Sequence, residues 1–137
     1  MKVLFTITAA VGLLWMSVPI AAHHSFAAEY DLKQPITLRG TLTKMDWVNP
    51  HGWLHVDVKD TDGSVVNWSV EAGGPNALIR KGLRSTDFPV GLQVVIEGYR
   101  AKNGTPTANG NKVTFPDGRN FFLGADDPTQ APAGGAK

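Results

Sequence analysis

The sequence predicts a mainly β fold, a small closed barrel of five to six strands with one short helix between the third and fourth strands. Apolar residues alternate with polar ones at a period of two over several short segments, which is typical of half-buried strands. Residues that favour turns separate these segments. A length of 137 residues without Cys allows one small core that is not held by disulfides.

The chain begins with a predicted secretory signal peptide over residues 1–22. Lys2 is the only charge before a long apolar run, and Pro19 breaks that run shortly before the small residue Ala22. Cleavage between Ala22 and His23 predicts export of the mature chain, with no stable membrane insertion afterwards. The alternative is an uncleaved membrane anchor, because the run is nearly long enough to span a bilayer.

The rest of the chain is predicted to form one domain with two loose ends. Residues 23–35 form a lead-in segment, and residues 36–124 form the barrel domain. Residues 125–137 read ADDPTQAPAGGAK, with too little apolar surface to offset the entropy of ordering, so they are predicted to be a disordered tail.

A long, curved first strand is predicted from a change in apolar parity. Alternating apolar residues run from Ile36 to Leu42, and Met45 and Trp47 then continue on the opposite parity. Such a change requires one extra residue in the strand, so a bulge is predicted near Lys44.

The second and third strands are predicted to form a hairpin. The apolar positions are Leu54, Val56 and Val58 before the turn sequence DTDG at 60–63, and Val66, Trp68 and Val70 after it. A loop with an odd number of residues is needed to bring the two apolar sets onto one face.

A short helix and three further strands complete the predicted order. The helix begins at Pro75 or Asn76 and ends at Gly82, the usual Pro-start and Gly-stop pattern. A fourth strand covers 92–99, and a last hairpin joins 113–115 to 120–123. This is the layout of an OB-type barrel, with a small β-sandwich as the alternative.

Four segments also carry a family resemblance: HHSFAAEYD, WVNPHGW, GGPNALIRKG and EGYRAKNGT. In this order, behind a signal peptide, they resemble a family of small exported bacterial proteins known as a domain of unknown function. The resemblance implies export to the periplasm or the medium of a bacterium, but no activity. The family's recurring residues match here at His23, His24, Trp47, Asn49, Pro50, His51, Asn76 and Gly98.

Charge and motifs argue against two classes of function. The net charge of +1 comes from Lys2 of the signal peptide, so the mature chain is formally neutral, and no nucleic-acid partner is predicted. The chain has no G-x-S-x-G motif, no catalytic paired-carboxylate motif and no phosphate-binding glycine loop. We therefore predict no enzyme, although copper redox chemistry stays open.

The mature N-terminus is the main candidate metal site. Cleavage after Ala22 places His23 and His24 first, and the new α-amine can lose its proton near neutral pH. An amine with imidazoles is a nitrogen-rich set that favours Cu(II), with Ni(II) or Zn(II) as weaker competitors. Cleavage after Ala21 would put His24 third, which also makes a copper motif, but Pro19 disfavours that cut.

His51 and His55 are each open to two interpretations. His51 lies in a turn-like sequence. There it either bonds to a backbone carbonyl or caps the turn, or it joins His23 as a metal ligand from the barrel. His55 is either a solvated strand residue or a secondary candidate, with Glu71 as a carboxylate neighbour across the hairpin in one register. The two histidines are about 13 Å apart on an extended strand, so at most one joins His23, and His51 is preferred.

Two hypotheses of function follow from these residues. The first is an exported β-barrel that binds or carries Cu(II) through His23, His24 and His51. The alternative is a periplasmic module that binds a non-metal ligand or a protein partner, without catalysis, at a surface around Trp47 and Trp53.

Overall fold

A computed structural model describes residues 26–124 of the protein. The expected signal peptide, the cleavage site at Ala22 and His23, and the expected tail lie outside these residues. The elements are α1 Phe26–Glu29, β1 Tyr30–Asp46, β2 His51–Lys59, β3 Val65–Gly73, α2 Pro75–Arg80, a 3₁₀ turn Ser85–Asp87, β4 Gln93–Ala101, β5 Thr107–Thr114 and β6 Asn120–Phe122. None of the helices in this described part is long and apolar enough to cross a membrane.

The strands form one sheet in the order β3-β2-β1-β4-β5-β6, and a further pairing of β3 with β5 closes a ring of five strands. The β3–β5 pairing is parallel, and the other pairings are antiparallel. The helix α2 lies between β3 and β4 along the chain. The predicted mainly β barrel of OB-type layout is confirmed.

The strand β1 is long enough to pair with two neighbours. It pairs with β4 between Tyr30 and Thr41 and with β2 between Gly40 and Asp46. The register with β2 shifts between Leu42 and Lys44, which is the predicted bulge. The strand begins at Tyr30, so part of the expected lead-in segment belongs to the barrel.

The hairpin of β2 and β3 has the predicted odd loop. Lys59 pairs with Val65, which leaves the five residues 60–64 in the loop. Val56 then pairs with Trp68, and both side chains are buried. The loop length therefore puts the apolar sets of both strands on the inner face of the barrel.

The barrel interior and the helix share one core. Its buried members are Leu38, Leu42, Leu54, Val56, Trp68, Val70, Ala72, Leu78, Leu83, Phe88, Val94, Ile96, Ala108, Val113, Phe115 and Leu123. The helix contributes Leu78; it begins at Pro75 and is followed by Gly82 at φ +91°. Burial of these side chains is the main source of stability for a chain without disulfides.

The strand β5 begins at Thr107, earlier than the predicted start at 113. A close approach of β4 and β5 depends on Gly98, because a Cβ there would lie 2.0 Å from the carbonyl oxygen of Asn109. The register between the strands shifts at Glu97 and Gly98. Glycine is therefore required where the barrel bends.

Candidate functional site

The outer face of β2 carries the candidate residues of the barrel. Side chains alternate along a strand, and Leu54 and Val56 are fully buried on the inner face. His51, Trp53 and His55 therefore lie together on the outer face, and each is partly exposed.

The first of two polar clusters on this face, the His51 cluster, consists of His51, Glu71 and Tyr30. One carboxylate oxygen of Glu71, Oε1, pairs with Nδ1 of His51, and the other, Oε2, accepts a hydrogen bond from the Tyr30 hydroxyl. The Glu71 side chain is only 11% exposed, whereas the His51 side chain is 44% exposed. The carboxylate is therefore held from two sides, and it fixes a ring that still reaches solvent.

Tyr30 joins the N-terminal segment to this cluster. Its ring lies 5.4 Å from that of Phe26, and Phe26 in turn packs edge-on against Tyr99. Burial raises the pKa of the Tyr30 phenol, and the hydrogen bond to Glu71 and the charge of Glu71 raise it further. The phenol stays protonated and is held as a hydrogen-bond donor to the buried carboxylate.

The second cluster, the His55 cluster, consists of His55, Asp46 and Ser69. Nε2 of His55 lies 2.9 Å from Oδ2 of Asp46, and Nδ1 lies 3.3 Å from Oγ of Ser69. Lys44 lies 2.7 Å from the other oxygen of Asp46. Hydrogen bonds from Lys44 and then His55 hold the pKa of Asp46 below its usual range. Both ring nitrogens of His55 thus have a partner.

Glu71 does not lie beside His55. The register pairs Glu71 with Trp53 and His55 with Ser69, and the Glu71 carboxylate turns to His51 instead. The carboxylate neighbour expected for His55 comes from the first strand, as Asp46.

The two residues of the expected ligand surface, Trp47 and Trp53, have different surroundings. Trp47 is partly buried against the core, and its ring lies 6.3 Å from that of Phe88. Trp53 lies on the outer face between the two histidines. The bulge in β1 explains why the surroundings of the two tryptophans differ, because it turns Trp47 inward while Asp46 pairs with Trp53.

Tyr30 and Asp46 were not among the site residues predicted from the sequence. Tyr30 lies in a mostly polar stretch without strand periodicity, and nothing local indicates its contact with Glu71. Asp46 was detectable, because the predicted bulge places it on the outer face of the strand beside β2.

His51 and Glu71 are the only two predicted metal-site candidates that the structure brings into contact within residues 26–124. In this part of the chain, no three His, Asp or Glu side chains converge as a metal site. His23 and His24 lie outside the described residues.

The sequence profile of a family of unknown function, DUF6152, matches residues 10–111. The chain belongs to this family. The matched range includes both polar clusters on the outer face, and the predicted membership of a family of unknown function is confirmed. No curated protein and no solved structure matches the chain.

Proposed function

We propose that the protein is an exported, periplasmic β-barrel that binds or carries Cu(II) through its mature N-terminus and one barrel histidine. The ligands are the α-amine and imidazole of His23, the imidazole of His24, and Nε2 of His51. The observation that carries the proposal is the hydrogen bonding of the two ring nitrogens of His51. Its Nδ1 is held by Glu71, and its half-exposed ring makes no hydrogen bond through Nε2 to any residue within 26–124.

The partner of His51 supports a ligand role. Metal-binding histidines commonly donate their second ring N–H to a carboxylate, which fixes the ring orientation and makes the ligating nitrogen more basic. Glu71 occupies that position on His51. His55 differs because both of its nitrogens already have partners, Asp46 and Ser69.

The path of the N-terminal segment supports the same histidine. Phe26 packs on Tyr30, whose hydroxyl contacts the carboxylate that holds His51. His23 precedes Phe26 by three residues, which span at most about 11 Å when extended. A mature N-terminus at His23 is thus within about 11 Å of chain from Phe26, whose aromatic contact leads to the His51 cluster.

The donor set supports copper over other metals. An α-amine and imidazoles are neutral or easily deprotonated nitrogen ligands near pH 7. Cu(II) binds such nitrogen-rich sets more tightly than Ni(II) or Zn(II). The chain has no Cys, so thiolate ligands that would favour Zn or Cu(I) are missing from the full sequence.

The first test is the identity of the mature N-terminus. We expect the intact mass of protein recovered from the periplasm to correspond to a chain that begins at His23. A mass that begins at Met1 would contradict both export with cleavage and the amine ligand.

The second test is a competition titration with Cu(II) against a chelator of known affinity. The chain that begins at His23 is compared with the same chain extended by Gly-Ser-Gly-Ser, which moves the α-amine away from both N-terminal histidines. We expect the extension to weaken binding by more than the roughly 10–100-fold typical of losing an outer-shell partner. The control carries the same four residues at the C-terminus. Equal affinities for the two N-termini would contradict the proposal.

A further inference from the structure

We propose that the two histidines of β2 are held in opposite tautomers, so that only His51 presents a nitrogen lone pair to a ligand. Neutral His51 carries its proton on Nδ1, and its Nε2 has no hydrogen-bond partner among residues 26–124, whereas neutral His55 carries its proton on Nε2. Tyr30 and Glu71 are positioning residues for this state of His51. That the free nitrogen binds copper rests on the proposed function, but the tautomers themselves do not.

The tautomer of His51 follows from the two hydrogen bonds that the Glu71 carboxylate accepts. The buried phenol remains protonated, so it donates its hydrogen to Oε2 of Glu71. An ionised carboxylate has no proton to donate, and it can only accept at its second oxygen. Oε1 therefore accepts the N–H of His51 Nδ1. The lone pair of the neutral ring is then on Nε2, because the tautomer is set by the hydrogen bond that the other nitrogen makes.

The tautomer of His55 follows from its carboxylate partner on the other side of the ring. Asp46 Oδ2 lies 2.9 Å from Nε2, and the lowered pKa of Asp46 keeps this oxygen an acceptor. Nε2 therefore carries the proton and donates it. Nδ1 is left with the lone pair and accepts from the Ser69 hydroxyl at 3.3 Å. This leaves His55 without a free nitrogen.

The positions of the two carboxylates determine which of two chemically identical side chains can bind a ligand. Both rings lie on one face of one strand, and each contacts one carboxylate. Glu71 contacts Nδ1 of His51, whereas Asp46 contacts Nε2 of His55. The two rings therefore hold their protons on opposite nitrogens. Glu71 can approach Nδ1 because Tyr30 holds its other oxygen.

The test is NMR of the mature, metal-free chain with ¹⁵N-labelled histidine, recorded at an alkaline pH at which imidazoles are neutral. Long-range ¹H–¹⁵N couplings identify the protonated nitrogen of each imidazole, and His51→Ala and His55→Ala variants assign the signals. We expect the Nδ1–H form for His51 and the Nε2–H form for His55 in the same spectrum. The same tautomer in both rings, or Nε2–H in His51, would overturn the proposal.

Variants then separate positioning from general stability. Glu71→Leu removes the acceptor, and we expect His51 to lose the Nδ1–H form while His55 keeps its own. Glu71→Gln leaves one carbonyl oxygen where Tyr30 and His51 each need an acceptor, so we expect the Nδ1–H fraction of His51 to fall, by less than in Glu71→Leu. A folded Glu71→Leu chain that keeps Nδ1–H in His51 would overturn the positioning role; if that variant does not fold, the wild-type and Glu71→Gln spectra decide.

Copper enters as a last addition to the same sample. A substoichiometric amount of Cu(II) should broaden the His51 ring signals more strongly than those of His55. Opposite tautomers without any broadening of His51 would refute the proposed copper site alone. The predicted broadening with both rings in the same tautomer would refute the tautomer proposal alone.

Discussion

The hydroxyl of Tyr30 is expected to stabilise the fold measurably, because it is buried and bonded to a buried carboxylate. Tyr30 is 4% exposed, and its hydroxyl donates to Oε2 of Glu71. Tyr30→Phe keeps the ring and its packing on Phe26 but leaves that oxygen without its donor. A hydrogen bond to a charged group contributes about 1.5–3 kcal/mol. We expect a loss of about 2 kcal/mol in the free energy of unfolding, within that range.

This loss converts to a fall in Tm of roughly 8–16 °C, since 1 kcal/mol corresponds to about 4–8 °C for a domain of this size. Thermal and urea unfolding of the mature chain measure it. The matched control is Tyr99→Phe, which alters the other tyrosine in contact with Phe26. Tyr99 is partly exposed, so its variant should stay within about 0.5 kcal/mol of the wild type. Equal losses in the two variants, or no loss for Tyr30→Phe, would refute the reasoning.

Three further predictions follow from the same structure. Because the folded state raises the pKa of Tyr30 above the ordinary 10.0, its stabilising contribution is complete below pH 10.0 and declines above it; urea unfolding at alkaline pH should show this decline, and Tyr30→Phe should reduce it. Because the folded state lowers the pKa of Asp46 below 3.8, its contribution is present above pH 3.8 and is lost as the pH falls through the folded pKa; Asp46→Asn should remove that part of the acid-unfolding profile and leave the alkaline part unchanged. Gly98→Ala should lower stability by about 3 kcal/mol or more, and more than Gly52→Ala, because the added Cβ would lie 2.0 Å from a carbonyl oxygen at Gly98 and 3.1 Å from one at Gly52; thermal unfolding of both variants compares them, and equal losses would contradict the expectation.

The barrel was predictable because its strands keep a strict period of two. Any register in which Val56 and Trp68 faced opposite sides would have exposed one of them, so parity alone fixed an odd loop. The bulge near Lys44 was predictable for the same reason. The early part of β5 was not, because TANGN at 107–111 has polar residues and glycine where alternation would be read.

Which side chains of the site contact one another was harder to predict than the face of the sheet on which each side chain lies. A shift of two residues in the β2–β3 register keeps every apolar side chain inside, yet it moves Glu71 from Trp53 to His55. Parity therefore placed Glu71 on the outer face without choosing its partner. Tyr30 was beyond local reasoning because its contact with Glu71 joins residues 41 positions apart in sequence.

Whether His51 is a copper ligand is tested most directly by comparing two histidine variants in one Cu(II) competition titration. Both variants are made in the chain that begins at His23, and both remove a partly exposed imidazole from the outer face of β2. We expect His51→Ala to weaken Cu(II) binding by about tenfold or more, because it removes a ligand, and His55→Ala to leave the affinity unchanged. Unchanged affinity in His51→Ala, or an equal loss in both variants, would contradict this expectation.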